Sequence, residues 1–429
     1  MTDSTKSMTR RGFIAHAGAA GAVLAGPWAA AAGAAGLPPN IVFLLTDDQR
    51  WDAMGNMNPM VQTPNMDDLA AKGVRFENAF VTTSICAASR ASIFAGVVER
   101  THMYTFRRPP MDARFTDNSY PALLRAAGYR TGFVGKFGVA VQPGATDAMF
   151  DVFTPLGRNP YFKKQPDGSL RHLTDITADR AIEFLRSCRS DQPFCLSVSF
   201  NAPHAEDSDP RQYIWPEACD HLYEDLTIPV PPTADPAFFE AQPKFLQESL
   251  GRVRWKWRFD TPEKFQQMVK GYYRMITGVD AASGRILAAL DELGLAGNTV
   301  VILSSDNGYF LGDRGFAGKW LPHEPSLRVP LIVYDPRAKR ALRGVRRERM
   351  ALNIDIAPTI LDLAGVPIPD LMQGRSLTPI LRGRRVDWRR RFFFEHLMEH
   401  PQIIKHEGVR TRRYKYARSC PQEPGWEEL

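Results

Sequence analysis

Short, continuous apolar runs alternate along the chain with longer segments of helical periodicity. Residues 41–46 (Ile-Val-Phe-Leu-Leu-Thr) run unbroken between Pro38-Pro39 and Asp47-Asp48. A run of that length without polar alternation predicts a strand covered on both faces, as in a parallel sheet. Similar runs recur at 131–135, 194–200, 299–304 and 330–334. Between them the spacing predicts helices over 65–72, 120–127, 176–186, 265–293 and 354–363, most of them followed by a glycine (Gly73, Gly128, Gly294, Gly365). Glycine just past the last helical residue is a common stop signal. Strands and helices in alternation predict an α/β layered fold with a largely parallel central sheet. Residues 229–243 are proline-rich and aperiodic, which predicts an excursion loop or lid, and 408–417 read as a late strand pair. Glu427-Glu428-Leu429 follows with no predicted terminating element, which reads as a truncated end. No internal repeat is visible.

The N-terminus adds a targeting signal. Thr9-Arg10-Arg11-Gly12-Phe13-Ile14 precedes an Ala/Gly run to Gly36 that holds no acidic residue. Paired arginines before a weakly apolar stretch match a twin-arginine export signal. The uncharged stretch is long enough to span a bilayer, but Ala and Gly contribute little transfer energy and Pro27 interrupts it. The reading is therefore export, to the periplasm or beyond, by the twin-arginine machinery.

The formal net charge of +7 over 429 residues owes much to the arginine-rich stretches 340–349 and 382–391. With no zinc-finger spacing and no aromatic RNA-binding signature, these read as a solvated face and not as a nucleic-acid surface. Five cysteines (Cys86, Cys188, Cys195, Cys219, Cys420) are too few and too scattered for a disulfide scaffold, and an odd count leaves at least one thiol unpaired. A bridge among Cys188, Cys195 and Cys219 is compatible with the sequence, which does not assign it.

Candidate chemistry sits where the apolar runs end. The run 41–46 delivers Asp47-Asp48, and 299–304 leads through Ser305 to Asp306-Asn307-Gly308. The run 194–200 leads to Asn201 and His204, and 131–135 to Lys136. In open α/β sheets ligands bind beyond the carboxyl ends of the strands, so these side chains are expected in one crevice. Three carboxylates and an amide are all oxygen donors, which suit a hard cation such as calcium or magnesium. Either acidic pair alone would be read as a turn or helix cap; both, after matching strands, favour a site. A further signal is Cys86-Ala-Ala-Ser-Arg90-Ala-Ser-Ile-Phe-Ala-Gly96. Its composition predicts a helix stopped by Gly96, with Cys86 near the N-terminus, where free N–H groups and the dipole favour an anion. The plainer reading is a small buried cysteine packing a helix start.

Residues 86–90 match the alanine form of the Cys-x-Pro/Ala-Ser-Arg motif, and with it the chain resembles the type I, formylglycine-dependent sulfatases of the alkaline phosphatase superfamily. The resemblance runs from Pro39 to about Ala417, through PNIVFLLTDDQ, GYRTGFVGKFG, NAPH, SSDNGYFLGDRG, GKW with RVPLIV, GRSLTPIL and GVRTRRYKY in family order. It implies an alkaline phosphatase-like three-layer α/β/α catalytic domain over 37–383, with a small antiparallel C-terminal subdomain, incomplete here, over 384–429. It also implies that Cys86 is oxidised to formylglycine by a maturation enzyme and supported by Arg90. One calcium ion is implied on Asp47, Asp48, Asp306 and Asn307, with the oxidised side chain of residue 86 beside them. Lys136, His204 and Lys319 are implied to hold and polarise the sulfate, with His204 or Lys319 protonating the leaving alcohol.

The chain departs from the family pattern in three places, the first being Ala88, where the stronger form of the motif has proline. Gly138 stands where many relatives carry a histidine that serves the second hydroxyl of the hydrated aldehyde. Arg314 stands where many have histidine, and His323 is the nearest substitute candidate in sequence. Two further readings stay open: a phosphate or phosphonate ester hydrolase of the same superfamily, and an impaired sulfatase fold that binds glycans. Residues 160–165 and 251–259 mix aromatic and basic side chains and are expected to line an opening for a sulfated small molecule or glycan.

Overall fold

The computed structural model describes residues 37–106 and 108–429; the expected twin-arginine signal, residues 1–36, lies outside them. The apolar runs form strands, as predicted: β1 (Asn40–Thr46), β3 (Arg130–Gly135), β5 (Phe194–Ser199), β6 (Thr299–Ser305) and β7 (Leu331–Tyr334). Three shorter strands, β2 (Val74–Phe76), β4 (Val152–Pro155) and β8 (Val345–Arg347), complete an eight-stranded sheet in the order β8-β2-β7-β6-β1-β5-β3-β4. Every pairing is parallel except those of β7 with β6 and β2, so β7 alone is reversed. β2 and β8 have only three residues each, and β4, at the sheet edge, is only partly buried and lacks a continuous apolar run, which is why the sequence did not show them.

The continuous apolar run of β1 is explained by its position. Ile41, Phe43 and Leu45 face one core, and Val42 and Leu44 face the other. On the first face lie α2 (Cys86–Ala95), α3 (Tyr120–Ala126) and α7 (Ile356–Ala364). On the second lie α1 (Pro64–Lys72), α4 (Leu173–Arg186) and α6 (Pro262–Glu292). This is the three-layer α/β/α architecture, within one unit from Pro38 to Leu429. The 31-residue α6 starts at Thr261, whose hydroxyl accepts from the Lys264 N–H at 3.2 Å, with Pro262 in the first turn.

The C-terminal sheet is antiparallel throughout: β9 (Arg391–His396), β10 (His406–Thr411), β11 (Lys415–Ser419) and β12 (Glu427–Glu428). The last residues do carry an element, since β12 pairs Glu427 and Glu428 with Arg418 and Ala417. The sheet is tied to the segment before Cys86 by the Glu395 N–H to the Thr82 carbonyl (2.9 Å) and by Phe392 stacked on Phe80 (5.0 Å). Two expected excursions are more regular than predicted. Residues 229–243 contain a short helix, Pro236–Glu240, capped by the Asp235 side chain, and 251–259 fall mostly in α5 (Leu250–Arg258). All five cysteines are free thiols.

Candidate active site

The register of the central sheet brings the chemistry together. Thr46 of β1 pairs with Ser305 of β6, and Leu45 pairs with Ser199 of β5, so the residues after each strand emerge side by side. The backbone then locks them: Asp306 N–H donates to the Thr46 carbonyl (3.1 Å), Asp47 N–H to Ala202 (3.2 Å), and Asp48 N–H to Asp306 Oδ1 (3.2 Å). Asp48 has a φ of 69° and Trp320, next to Lys319, one of 80°. Left-handed backbone at a bulky residue such as Trp costs on the order of 1–2 kcal/mol and survives where the surroundings over-determine it. Both strained residues adjoin side chains of this cluster.

Three cations face the carboxylates. Lys136 Nζ is bonded to Asp47 Oδ2 and Lys319 Nζ to Asp48 Oδ1, while Arg90 Nε meets Asp306 Oδ2 at 2.7 Å. Arg90 is fully buried, donating also to the Lys136 carbonyl (2.5 Å) and to Ser199 Oγ. Asn307 Nδ2 lies 2.5 Å from Asp48 Oδ1, and His204 Nε2 lies 3.6 Å from Asp48 Oδ2. Cys86 begins α2, whose N-cap residue Ile85 offers no side-chain acceptor, so the helix N-terminus is open at the cluster. Its sulfur lies within 4.8 Å of carboxylate oxygens of Asp47 and Asp306. All nine predicted site residues are therefore close together at the strand ends.

Burial opposes ionisation of Asp47, but the charges of Lys136, Lys319 and Arg90 outweigh it and bring its carboxyl down to about 2. Asp306 goes the other way, raised to about 6 by burial and by the neighbouring Asp47 charge. Lys319 is held protonated by Asp48 and its neighbours against burial. His204 is held neutral by burial and by the cations Lys319, Arg158, Lys136 and Arg254.

The donor set fits a hard cation. Asp47 Oδ1, Asp48 Oδ2 and Asn307 Oδ1 are buried and have no hydrogen-bond partner among the described residues. A buried acceptor without a partner costs roughly 1–3 kcal/mol, more when charged, and three such oxygens in one place suit a cation that takes only oxygen ligands. The cluster opens to a cleft of about 590 Å³ whose lining includes Cys86, Lys136, Gly138, His204 and Lys319.

The structure adds residues the sequence did not single out. Arg158 and Arg254 line the cleft; Arg254 is paired with Asp207 (2.6 Å), which also holds the fully buried Arg258. Arg158 follows β4, so recognising that short strand would have pointed to it by the same strand-end rule. Met398, His400 and Ile403, from the connection between β9 and β10, form another wall. Of the two aromatic-basic segments, 251–259 reaches the cleft through Arg254, with Leu250 just before it, whereas residues 160–165 do not line it.

His323, the substitute candidate, is not at the cleft. It is buried with Nε2 3.2 Å from Glu428 and its ring against Phe310, and Arg314 also faces Glu428, at 3.7 Å. The absence of a side chain at 138 has a steric reason. A β-carbon there would come within 3.0 Å of Arg90 Cδ, on a backbone with φ of 69°. A side chain at 138 would press on the Arg90 methylene, which would have to give by a few tenths of an ångström, and would hold its own backbone in the left-handed region that favours glycine.

Comparison with known proteins agrees with the geometry. The family model described as Sulfatase matches residues 39–366, and that described as N-sulphoglucosamine sulphohydrolase, C-terminal, matches 312–429. The chain is 28% identical to an N-acetylglucosamine-6-O-sulfatase of Bacteroides thetaiotaomicron, covering 88% of this chain and 78% of that one. It is 29% identical to an arylsulfatase of Clostridium perfringens, covering 84% and 82%. A solved structure of a protein in complex with its substrate D-glucosamine-2-N,6-O-disulfate superposes with a TM-score of 0.79 at 26% identity, covering 91% of this chain and 90% of that one.

Proposed function

The chain belongs to the sulfatase family, as a sulfuric ester hydrolase, and from that premise we propose that it removes sulfate esters from a carbohydrate through a formylglycine at position 86. The observation that carries this reading is the cysteine at an open helix N-terminus, within 4.8 Å of two carboxylates that belong to an oxygen-only cation site. Asp47, Asp48, Asp306 and Asn307 would hold calcium, which when bound would offset part of the charge of the three carboxylates and supply Lewis-acid chemistry toward a sulfate oxygen. Formylglycine, hydrated, would supply one hydroxyl for attack on sulfur and a second through which sulfate is released, which a serine could not.

The chain's own residues do the rest. Lys136 and Lys319 line the cleft beside Cys86 and can each turn an ammonium toward a sulfate oxygen. Arg90 fixes Asp306 and the turn at Lys136. Lys319, kept protonated by Asp48, is the group able to give a proton to the departing alcohol. The cleft walls mix the apolar faces of Trp320, Phe137 and Ile403 with Arg158 and Arg254, a lining suited to a sugar bearing an anion. With N-acetylglucosamine-6-sulfatases among the relatives, the 6-O-sulfate of an amino sugar is the first substrate to try.

The reading extends to maturation and placement. Residues 1–36 act as a twin-arginine signal, 37–383 as the catalytic domain and 384–429 as the C-terminal subdomain. Twin-arginine export moves folded proteins, so the formylglycine-generating enzyme acts in the cytoplasm beforehand. Among the described residues no helix is long and apolar enough to cross a membrane. The test is direct: mass analysis of the peptide containing residue 86 in protein from a host with the maturation enzyme, together with turnover of matched sulfate, phosphate and phosphonate esters. An unmodified thiol, or faster phosphate or phosphonate turnover, rejects the reading.

A further inference from the structure

We propose that Arg158 is a positioning residue that holds His204 as the neutral tautomer with its hydrogen on Nε2, so that His204 donates a hydrogen bond to the substrate and does not act as a base. Arg158 lies on the loop after β4, in the wall of the cleft, with Nη1 2.6 Å from His204 Nδ1 and Nε bonded to Asn159 Oδ1 at 3.0 Å. The Ala205 carbonyl oxygen lies 2.7 Å from the same Nδ1. These two neighbours make opposite demands. A guanidinium has only N–H donors and stays charged, so it needs a lone pair on Nδ1; a carbonyl only accepts, so it needs a hydrogen there.

One nitrogen cannot satisfy both. The charge-assisted bond is roughly twice as strong as the neutral one, so Nδ1 keeps its lone pair and Nε2 carries the hydrogen. The backbone that carries the ring is fixed, because Tyr161 Oη donates to the carbonyl oxygens of Asn201 (2.8 Å) and His204 (2.6 Å), and the ring itself is buried. Nε2 is then aimed toward Asp48 Oδ2, 3.6 Å away, and into the cleft beside Cys86 and Lys319.

The consequence for the reaction rests on the sulfate ester reading. A neutral imidazole that lost the Nε2 proton would become an imidazolate, so His204 polarises the ester by hydrogen bonding and keeps its proton. When the S–O bond to the alcohol breaks, its electron pair stays on the alcohol oxygen, which takes a proton from the Lys319 ammonium and leaves a neutral amine. Arg158 thereby separates the two roles, donor at His204 and acid at Lys319.

The tautomer can be read without any turnover. The full-length, calcium-loaded protein, labelled with ¹⁵N in its nine histidines, reports by NMR which imidazole nitrogen carries hydrogen, and His204→Gln assigns the signal. The expected result is hydrogen on Nε2 in the wild type, transfer to Nδ1 (facing Ala205) in Arg158→Met, and retention on Nε2 in Arg158→Lys. In parallel, Arg158→Met should lower kcat on a sugar sulfate about 10²-fold with KM little changed. It should lower kcat much less on 4-nitrophenyl sulfate, whose leaving group needs little help, and Arg158→Lys should recover part of the loss. Hydrogen on Nδ1 in the wild type, or on Nε2 in Arg158→Met, overturns the proposal. Wild-type protein with the assigned tautomer but no sulfate ester turnover would reject the proposed function and leave the Arg158–His204 assignment standing.

Discussion

Two groups of buried carboxylates lie in this molecule, one at the strand ends and one where the C-terminal sheet meets the segment around Cys86. At the strand ends, Asp47 is buried among Lys136, Lys319 and Arg90 and is driven to about 2. At the other place, Glu99 accepts from Thr83 Oγ1 (2.7 Å) and the Leu397 N–H (3.3 Å), and among the described residues it forms no ion pair, the Arg108 charge acting on it only weakly. Burial, with the Glu395 carboxylate adding to it, raises Glu99 to about 8, so it is largely protonated at neutral pH. Glu395 itself is bonded to the half-exposed Arg100. The difference teaches that burial by itself neutralises an acid. Only burial among cations keeps acids ionised, and only such a set has both the charge and the unsatisfied oxygens to take a metal ion.

The most severe way to break the first cluster is to remove its reacting groups. Cys86→Ala should abolish sulfate ester hydrolysis, by a factor on the order of 10⁴ or more. Lys319→Met should lower it about 10²–10³-fold, with the larger loss on poor leaving groups. Steady-state rates on a sugar sulfate and an aryl sulfate check both. Equal losses on the two substrates with Lys319→Met would deny it the role of acid.

Next in size is the cation. Chelation should abolish activity and lower the thermal midpoint, and calcium at a hundred times its dissociation constant should restore about 2.7 kcal/mol of stability. Cys86→Ala should keep most of this response, because Asp47, Asp48, Asp306 and Asn307 remain. Calorimetry with and without calcium decides it, and no calcium response would remove the oxygen site from the argument.

The second cluster predicts a pH effect of opposite sign to the usual carboxylate. The raised pKa of Glu99 means the folded state binds more protons than the unfolded state between about 4.5 and 8. Its contribution to stability is therefore full in acid and is lost as pH rises toward 8. Glu99→Gln, which cannot ionise, should flatten the fall in thermal midpoint between pH 5 and 8, an effect of several degrees. An unchanged slope would show that Glu99 is ionised at neutral pH.

The smallest effect belongs to the exposed surface. The Arg412–Glu348 pair is 2.6 Å long but about four-fifths and two-thirds exposed, so Arg412→Ala should change stability by no more than about 0.5 kcal/mol. A larger loss in denaturant titration would mean that solvent screens this face less than its exposure implies.

Much of the central sheet was readable because a strand buried on both faces writes its environment into consecutive residues. The runs at 41–46, 194–200 and 299–304 need no partner to be recognised, and their ends carry Asp47, Asp48, His204, Asp306 and Asn307. Cys86 and Arg90 were legible through local composition and family resemblance. The short strands were not, and Arg158 at the end of β4 went with them.

What the chain alone determined, then, is which side chains stand at the ends of buried strands, because that follows from local apolar patterning and chain order. What the tertiary structure decided is everything that depends on distant neighbours. It put His323 against Glu428 instead of the cleft, and it set Gly138, on left-handed backbone, close beside Arg90. It also set Arg158 against His204 and buried Glu99 where desolvation outweighs the nearby Arg108 charge. Charge state, tautomer and steric room are set by electrostatics and packing over a few ångströms of space, and residues 46 or 298 apart in sequence meet at those distances only after folding.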